Sequence, residues 1–229
     1  MKQLFSLHSS CFLCGGTTNQ QISLCQSCED DLPVIENSCS RCGLPVAIPS
    51  KEICGHCLKN APEIDYTESL YFYKPPIDYL ITKLKFEEKL VCASIFAHLL
   101  SGLTKKIGAE DIPDVIVPVP LHLHRLSQRG FNQALEIAKP ISAKSGIPLD
   151  YKYIRRIKST TAQSKLNVTE RKRNIKNSFE VQGEKQYRHV LLIDDVITTG
   201  STINELAKTI KDSGVEKVGV WSIARAILD

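Results

Sequence analysis

Eight of the nine cysteines in this chain of 229 residues form four C-x-x-C pairs near its start, with 10, 10 and 11 residues between successive pairs. A C-x-x-C turn places two thiolates on the same side of a tight bend, and two such turns complete the tetrahedron that Zn²⁺ prefers. Because residues 1–60 offer few aliphatic side chains for a core, metal is expected to supply much of their folding free energy, on the order of 10 kcal/mol per site. The predicted ligands are Cys11, Cys14, Cys25, Cys28, Cys39, Cys42, Cys54 and Cys57.

Paired cysteines also occur in disulfide scaffolds and redox sites. The start of the chain has no apolar core long enough for a secretory signal, and no pair opens a helix in a βαβ context, so both alternatives are disfavoured. Sites with four cysteine ligands are closed, so two structural zinc ions are expected. Sequential and interleaved pairings both satisfy this ligand count; sequential pairing is favoured because a shorter loop costs less entropy to close.

After Ala61, apolar strand patterns alternate with helical patterns. This alternation predicts an α/β fold with a mostly parallel sheet covered by helices on both faces, in a domain 61–229 that follows a zinc-ribbon module 1–60. Cys92 falls inside a helical pattern and is expected in the core. The predicted strands are 67–74, 114–120, 151–157, 188–195 and 216–225, and the predicted helices are 77–86, 88–105, 132–145 and 201–213.

The stretch 190-VLLIDDVITTGSTINELAK-208 combines an apolar strand, two adjacent acids and a turn rich in hydroxyl groups. Ligands of parallel sheets bind at the carboxyl ends of the strands. Small residues, one glycine and a helix N-terminus allow backbone N–H groups and hydroxyls to bind a phosphate. The two carboxylates cannot bind phosphate but can accept hydrogen bonds from the neighbouring hydroxyls of a sugar. A phosphate beside a cis-diol describes a ribose 5-phosphate.

The charge distribution indicates a local site for an anion. Residues 152–176 contain nine basic residues and one acid, a net charge of +8, whereas the whole chain carries +4. The alternative interpretation is a solvated basic face. The cationic residues singled out here are Arg155, Arg156, Lys158, Lys165, Arg171, Lys172 and Arg173.

Residues 190–202 resemble the 5-phosphoribosyl-1-pyrophosphate (PRPP) motif of type I phosphoribosyltransferases. Together with the four C-x-x-C pairs, the stretches 116-IVPVPLHLHRLSQRGFNQA-134 and 162-AQSKLNVTERKRNIKNSF-179 resemble the ComF family, which includes GntX-type proteins. The resemblance extends from Cys11 to about Arg225. It implies a zinc-ribbon module followed by a phosphoribosyltransferase-type domain, and an association with competence, natural transformation and single-stranded DNA handling.

The resemblance also implies roles for individual residues. Asp194 and Asp195 would hold the ribose hydroxyls and help to order the Mg²⁺ of PRPP, and Arg125 and Arg129 would bind pyrophosphate. The segment 152–176 lies where such enzymes carry a loop that closes over PRPP. The residues expected to bind PRPP are Asp194, Asp195, Val196, Ile197, Thr198, Thr199, Gly200, Ser201 and Thr202.

Two functions follow as alternatives. The first is a cytoplasmic phosphoribosyltransferase that releases pyrophosphate from PRPP, although neither a general base nor an acceptor pocket is recognisable in the sequence. The second is a non-enzymatic nucleic-acid-binding or adaptor protein that keeps the PRPP site as a sensor. In the second, the cationic segment with Tyr151 and Tyr153 would bind single-stranded DNA. A competence-machinery protein such as a helicase is a further expected partner. No membrane span is expected, because no apolar run approaches roughly 18 residues.

Overall fold

A parallel four-stranded sheet forms the centre of the fold in the computed structural model, which describes residues 9–47, 53–158, 175–184 and 186–227. Its strand order is β3, β8, β7, β4, and every neighbouring pair is parallel. The sheet strands are β3 (Tyr66–Phe72), β4 (Val115–Pro118), β7 (His189–Ile197) and β8 (Lys217–Arg225). Two short antiparallel pairs lie outside the sheet: β1 (Ser9–Ser10) with β2 (Thr17–Thr18), and β5 (Ile154–Arg156) with β6 (Phe179–Val181).

Helices cover both faces of the sheet, as the sequence predicted. The helices are α1 (Gln26–Asp30), α2 (Gly55–Lys59), α3 (Ile77–Glu87), α4 (Leu90–Thr104), α5 (Leu123–Arg129), α6 (Gln133–Ser145) and α7 (Ser201–Lys211). Alternation along β7 divides the core in two: Leu191 and Ile193 pack with α3, α4 and α6, whereas Val190 and Leu192 pack with α7. The predicted α/β class with a mostly parallel sheet is therefore confirmed, and Cys92 is fully buried in the first of these cores.

Three local predictions need correction. The segment predicted as a strand over 151–157 forms only β5, which pairs with β6 instead of joining the central sheet. The segment after β4, where the sequence predicted no helix, contains helix α5, which His122 caps at its start and Gly130 ends in the left-handed region. Strand β7 extends two residues beyond its predicted end, to Ile197.

Among the described residues, no helix combines the length and apolar character that a membrane crossing would need.

The cysteines form two separate groups of four. Cys11, Cys14, Cys25 and Cys28 make up the first cluster, and Cys39, Cys42, Cys54 and Cys57 make up the second; within each, all sulfur atoms lie within 4.8 Å of one another. This is the sequential pairing. In each cluster one sulfur–sulfur distance between the two turns, Cys14 to Cys25 in the first and Cys42 to Cys54 in the second, is 3.8 Å. Zn–S bonds of about 2.3 Å at tetrahedral angles give about the same spacing, so both groups fit structural zinc.

The electrostatics of the thiols also favour a cation. Burial opposes ionisation, but hydrogen bonds from nearby backbone N–H groups outweigh it and lower the pKa of Cys11 to about 6 and that of Cys39 to about 7. Burial and the negative charge of Cys39 raise the pKa of Cys42 to about 11. A bound divalent cation removes this repulsion and allows all four thiolates to form.

The second cluster docks against β3. The hydroxyl of Thr67 donates to the Arg41 carbonyl at 2.6 Å, and its backbone N–H donates to the Ser40 carbonyl at 2.8 Å. Gly43, with φ +68°, approaches β3 so closely that a Cβ there would lie 2.8 Å from Thr67 Cγ2. Only glycine combines a positive φ with so close an approach to a neighbouring side chain, so the turn at the second cluster requires glycine in order to pack against β3.

We expect about two zinc ions per chain, all held by sulfur. Cys39→Ser should lower the zinc content to about one ion per chain, because the two clusters share no ligand. Elemental analysis measures the zinc content. Cys92→Ser is the matched control and should retain both ions. Freshly purified protein with no metal, or with four disulfides by mass spectrometry, would contradict the zinc assignment.

A second prediction concerns the packing of β3 on β8. Gly219 on β8 faces the ring of Tyr66, and a Cβ at this position would overlap that ring, whose hydroxyl is hydrogen-bonded to His189 at 3.0 Å. Gly219→Ala should therefore lower the free energy of unfolding by about 1–3 kcal/mol in urea denaturation. Gly102→Ala in α4 is the control, because a Cβ there meets nothing within 4 Å. Equal stability of the two variants would show that the Tyr66 ring can move without cost.

Candidate functional site

The two adjacent acids of β7 occupy different environments. Both lie inside the strand near its carboxyl end, and successive side chains of a strand point to opposite faces. Asp195 is 1% exposed, whereas Asp194 is partly exposed. The sequence treats the two acids as one pair, and the structure gives them different partners.

Asp195 is held from the face of α3 and α6. Its Oδ1 accepts a hydrogen bond from Gln133 Nε2 at 3.0 Å, and its Oδ2 forms an ion pair with Lys85 Nζ. Arg129 adds a further hydrogen bond to this network by donating to Gln133 Oε1 at 2.5 Å. Its guanidinium lies 5.8 Å from the centre of the Phe86 ring. Side chains of the protein therefore contact both oxygens of Asp195, Oδ1 through a hydrogen bond and Oδ2 through an ion pair alone.

Asp194 is the acid whose side chain is available to a ligand. One of its oxygens accepts the backbone N–H of Asp195 at 2.9 Å. Burial, followed by repulsion from the Asp195 carboxylate, raises the pKa of Asp194 well above the usual value for aspartate, while Lys85 acts in the opposite direction. A partner that brings positive charge or donates hydrogen bonds would stabilise the ionised form of Asp194.

A cavity of about 150 Å³ lies at this end of the sheet. Its lining contains three cationic side chains and the two acids, so its net charge is positive and favours an anionic ligand. Burial and then the neighbouring Arg125 lower the pKa of Arg156 to about 10, which leaves its guanidinium charged at neutral pH. The charged residues of the lining are Lys85, Arg125, Arg156, Asp194 and Asp195.

The turn between β7 and α7, Thr198–Thr202, is here called the phosphate loop. Gly200 adopts the left-handed conformation at φ +76° immediately before the helix, as an anion-binding turn requires. The Thr199 hydroxyl donates to Ser201 Oγ at 3.0 Å and accepts from the Ser201 backbone N–H at 3.2 Å. Thr198, Thr199, Gly200 and Thr202 line the 150 Å³ cavity, as do Val196 and Ile197, whereas Ser201 does not.

Arg225 fixes the phosphate loop from behind. This side chain is 4% exposed and donates to the carbonyl oxygens of Ile197 at 3.1 Å and of Thr198. It also donates to the Ala226 carbonyl at 2.9 Å and, through Nε, to the Cys42 carbonyl of the second cluster at 3.0 Å. One buried guanidinium thus connects the loop to a cysteine turn.

The cationic residues predicted from sequence are dispersed. Arg125 lines the cavity, but Arg129 does not and instead positions Gln133. Arg156 also lines the cavity, whereas Arg155 forms an ion pair with Glu180 at 2.7 Å and Lys158 donates to the Lys176 carbonyl at 2.9 Å. Lys165, Arg171, Lys172 and Arg173 lie outside the described residues.

The sequence missed three side chains of this site: Lys85, Gln133 and Arg225. Lys85 shares its helix with Lys83 and looks like part of a solvated face, so no sequence signal distinguishes it. Gln133 lies in the RGFNQ string, and that string was a usable signal. Arg225 ends an apolar strand, where a charge needs buried partners that only the fold reveals.

The comparison with known proteins agrees with this architecture. Residues 4–58 match the double zinc ribbon domain, and residues 94–226 match the phosphoribosyl transferase domain. The purine phosphoribosyltransferase of Pyrococcus horikoshii aligns at a TM-score of 0.32 with 17% identity, over 59% of this chain and 83% of that one.

Two curated relatives match almost the whole chain. The DNA utilization protein YhgH of Salmonella typhimurium is 34% identical over 220 residues, covering 95% of this chain and 90% of the relative. Competence protein F of Haemophilus influenzae is 34% identical over 223 residues, covering 94% and 96%. The chain therefore belongs to the ComF family, in which a double zinc ribbon is joined to a phosphoribosyl transferase domain.

Proposed function

We propose that the protein binds PRPP with Mg²⁺ at the carboxyl end of β7 and acts as a phosphoribosyltransferase. The observation that carries this proposal is the position of Asp194, a partly exposed carboxylate that lines the same cavity as the phosphate loop and three cationic side chains. A sugar diol suits the carboxylate, and phosphates suit the loop and the cations. PRPP carries these groups in one molecule.

Each part of the site has one role in this proposal. Asp194 accepts hydrogen bonds from the ribose hydroxyls, and the phosphate loop binds the 5′-phosphate with the N-terminus of α7. Arg125 and Arg156 bind the pyrophosphate, because guanidinium groups pair with phosphate oxygens in a bidentate manner. Lys85 and Gln133 hold Asp195, so that its charge is compensated before the ligand enters.

Catalysis in this site would consist of positioning and charge stabilisation. A nucleophilic acceptor would form a bond to C1 of the ribose as the C1–O bond to pyrophosphate breaks and pyrophosphate leaves with the electron pair. Arg125 and Arg156 would stabilise the charge that builds up on the leaving oxygen. Oxygen ligands of the Asp194 type suit Mg²⁺, which would supply further neutralisation of the pyrophosphate when bound.

The decisive variant is Asp194→Asn. It keeps the shape of the side chain but removes the negative charge that accepts hydrogen bonds from the ribose hydroxyls. This should cost about 1.5–3 kcal/mol of binding free energy. The affinity for PRPP in the presence of Mg²⁺, measured by calorimetry, should fall about 10- to 100-fold. Asp212→Asn at the exposed C-terminal end of α7 is the matched control and should bind as the unchanged protein does. An unchanged affinity in a folded Asp194→Asn variant would refute the ribose assignment.

A second candidate function, single-stranded DNA binding, is supported by the net charge of +8 over 152–176 and by the names of the relatives. These names refer to DNA utilization and competence, and we propose the same link to DNA uptake for this chain. Tyr153 is 2% exposed and packs against Tyr187, so it cannot stack on a base, whereas Tyr151 is 54% exposed. The expected contact is therefore mainly electrostatic.

The triple variant with Arg171, Lys172 and Arg173 replaced by Ala tests this contact. The affinity for an oligo-dT strand, measured by fluorescence anisotropy, should fall. The slope of log affinity against log salt concentration should become shallower by roughly 0.7 for each lost phosphate contact. A control removes the same charge at the exposed residues Lys105, Lys106 and Lys144. If the variant weakens PRPP binding and leaves DNA binding unchanged, the segment acts on PRPP, and the DNA proposal fails.

A further inference from the structure

The side chain of Arg225 contacts both the second cysteine cluster and the phosphate loop. Arg225 is the last residue of β8 and is 4% exposed. Its Nε donates to the Cys42 carbonyl, and its Nη1 donates to the carbonyls of Ile197 and Thr198. Within the described part of the chain, none of the ion pairs between basic and acidic side chains includes Arg225. The buried guanidinium therefore needs negative charge from another source.

The second cysteine cluster can supply that charge. Burial lowers the pKa of Arg225, whereas the charge and a hydrogen bond of the Cys42 thiol, and the charges of Cys57 and Cys54, raise it. All three cysteines belong to the second cluster. Because thiolates are the form that binds zinc, an occupied site with four cysteine ligands carries a net charge of about −2. An arginine stays charged at neutral pH, so the two opposite charges compensate each other in this buried place.

The same guanidinium sets the direction of peptide groups in the phosphate loop. In a trans peptide, the C=O and the N–H of the next residue point in opposite directions. The carbonyls of Ile197 and Thr198 accept from Arg225. The N–H groups that follow them in the chain, those of Thr198 and Thr199, therefore point away from the guanidinium.

Two cavities show what lies on each side of these peptide groups. Arg225 lines a second cavity, of about 820 Å³, between the second cysteine cluster and α7, and it does not line the 150 Å³ cavity. Thr198 and Thr199 line both. N–H groups that point away from Arg225 are thereby directed to the side of the 150 Å³ cavity, where they can donate to a phosphate.

The first cysteine cluster packs in a different part of the molecule. Cys11 belongs to the core that contains α3 and α4, and Cys25 and Cys28 pack against that core. Ile197, just before the phosphate loop, and Ile203 in α7 belong to the other core. The two clusters are therefore placed differently with respect to the phosphate loop, and the first is an internal reference for the second.

We propose that Arg225 is a positioning residue that links the occupancy of the second zinc site to the affinity of the phosphate loop. The zinc-bound thiolates compensate the charge of the guanidinium, and the guanidinium holds the two loop carbonyls so that the following N–H groups face the ligand. Loss of this zinc removes the compensating charge, and the loop then binds phosphate groups less tightly. Zinc in the first cluster has no such effect. Only the effect on ligand affinity rests on the proposed PRPP function.

Arg225→Met tests the link to zinc. It removes the charge and every donor, so the zinc affinity of the second cluster should fall about 10- to 100-fold, as is typical when a group that supports a metal ligand is lost. The protein is treated with a zinc-selective chelator at a series of concentrations. Alkylation of the released thiols, followed by peptide mass spectrometry, shows which cluster has lost its metal. The first cluster should keep its affinity. Arg188→Met, at an exposed arginine, is the matched control and should leave both clusters unchanged.

Arg225→Lys separates the effect of charge from that of geometry. Lysine restores a positive charge beside the thiolates, but an ammonium lacks the planar fork that reaches the Cys42 carbonyl and the loop carbonyls together. This variant should therefore recover part of the zinc affinity that Arg225→Met loses. Its affinity for PRPP with Mg²⁺, measured by calorimetry, should remain about tenfold below that of the unchanged protein.

The unchanged protein provides a test that does not depend on the folding of a variant. If zinc in the second cluster raises the affinity for PRPP, PRPP with Mg²⁺ must raise the zinc affinity of that cluster by the same factor. PRPP should therefore protect the four cysteines of the second cluster from alkylation in the presence of the chelator. Alkylation of the four cysteines of the first cluster should not change.

The outcomes distinguish this proposal from the proposed function. Equal zinc affinity of the second cluster in Arg225→Met and Arg188→Met overturns the proposal. Equal loss of zinc from both clusters in Arg225→Met also overturns it, because the residue would then act through overall stability. Selective loss from the second cluster supports the link between Arg225 and zinc even if PRPP binds no form of the protein, a result that refutes only the proposed function. PRPP binding without selective protection of the second cluster overturns the coupling.

Discussion

The buried Arg225 guanidinium connects three parts of the molecule: the end of β8, the phosphate loop and the second cysteine cluster. A buried charge is costly unless it is hydrogen-bonded. Nε of Arg225 donates to the Cys42 carbonyl, and Nη1 donates to the carbonyls of Ile197, Thr198 and Ala226. Burial lowers its pKa, while the nearby Cys42 raises it. One side chain therefore links the end of β8, the phosphate loop and the second zinc ribbon.

The geometry of β7 explains why the two adjacent acids lie in different environments. Alternation along the strand places Asp195 on the side of α3 and α6, where Lys85 and Gln133 compensate its charge. Breaking a buried ion pair of this kind commonly costs about 3–5 kcal/mol, because the remaining charge stays buried. Asp194 lacks such a counter-ion contact at hydrogen-bonding distance within the described part of the chain, so its partly exposed carboxylate is available to a ligand.

Sequence periodicity predicted the main strands and helices well, because long amphipathic or fully apolar segments dominate this fold. It failed where segments were short. Helix α5 is seven residues long, is capped by His122 at its start and by Gly130 at its end, and its sequence shows no apolar stripe. Strand β5 was predicted at about the right place, but its pairing with β6 across the basic segment depends on contacts distant in sequence. For the candidate site, the loop and acids were predictable, whereas Lys85 and Arg225 were not.

By itself, the sequence determined the chemistry that each segment offers: four cysteine pairs spaced as metal ligands, an apolar strand that ends in acids, and a turn whose N–H and hydroxyl groups can donate to an anion. These are local properties, set by residue type and spacing. Only the tertiary structure decided which cysteines share a site, which acid is left to a ligand, and which side chains reach the sheet edge from α3, α6 and β8. It also placed the second cysteine cluster beside the phosphate loop, enclosing the 820 Å³ cavity. The physical reason is that burial, pairing of charges and cavity shape arise from residues far apart in the chain.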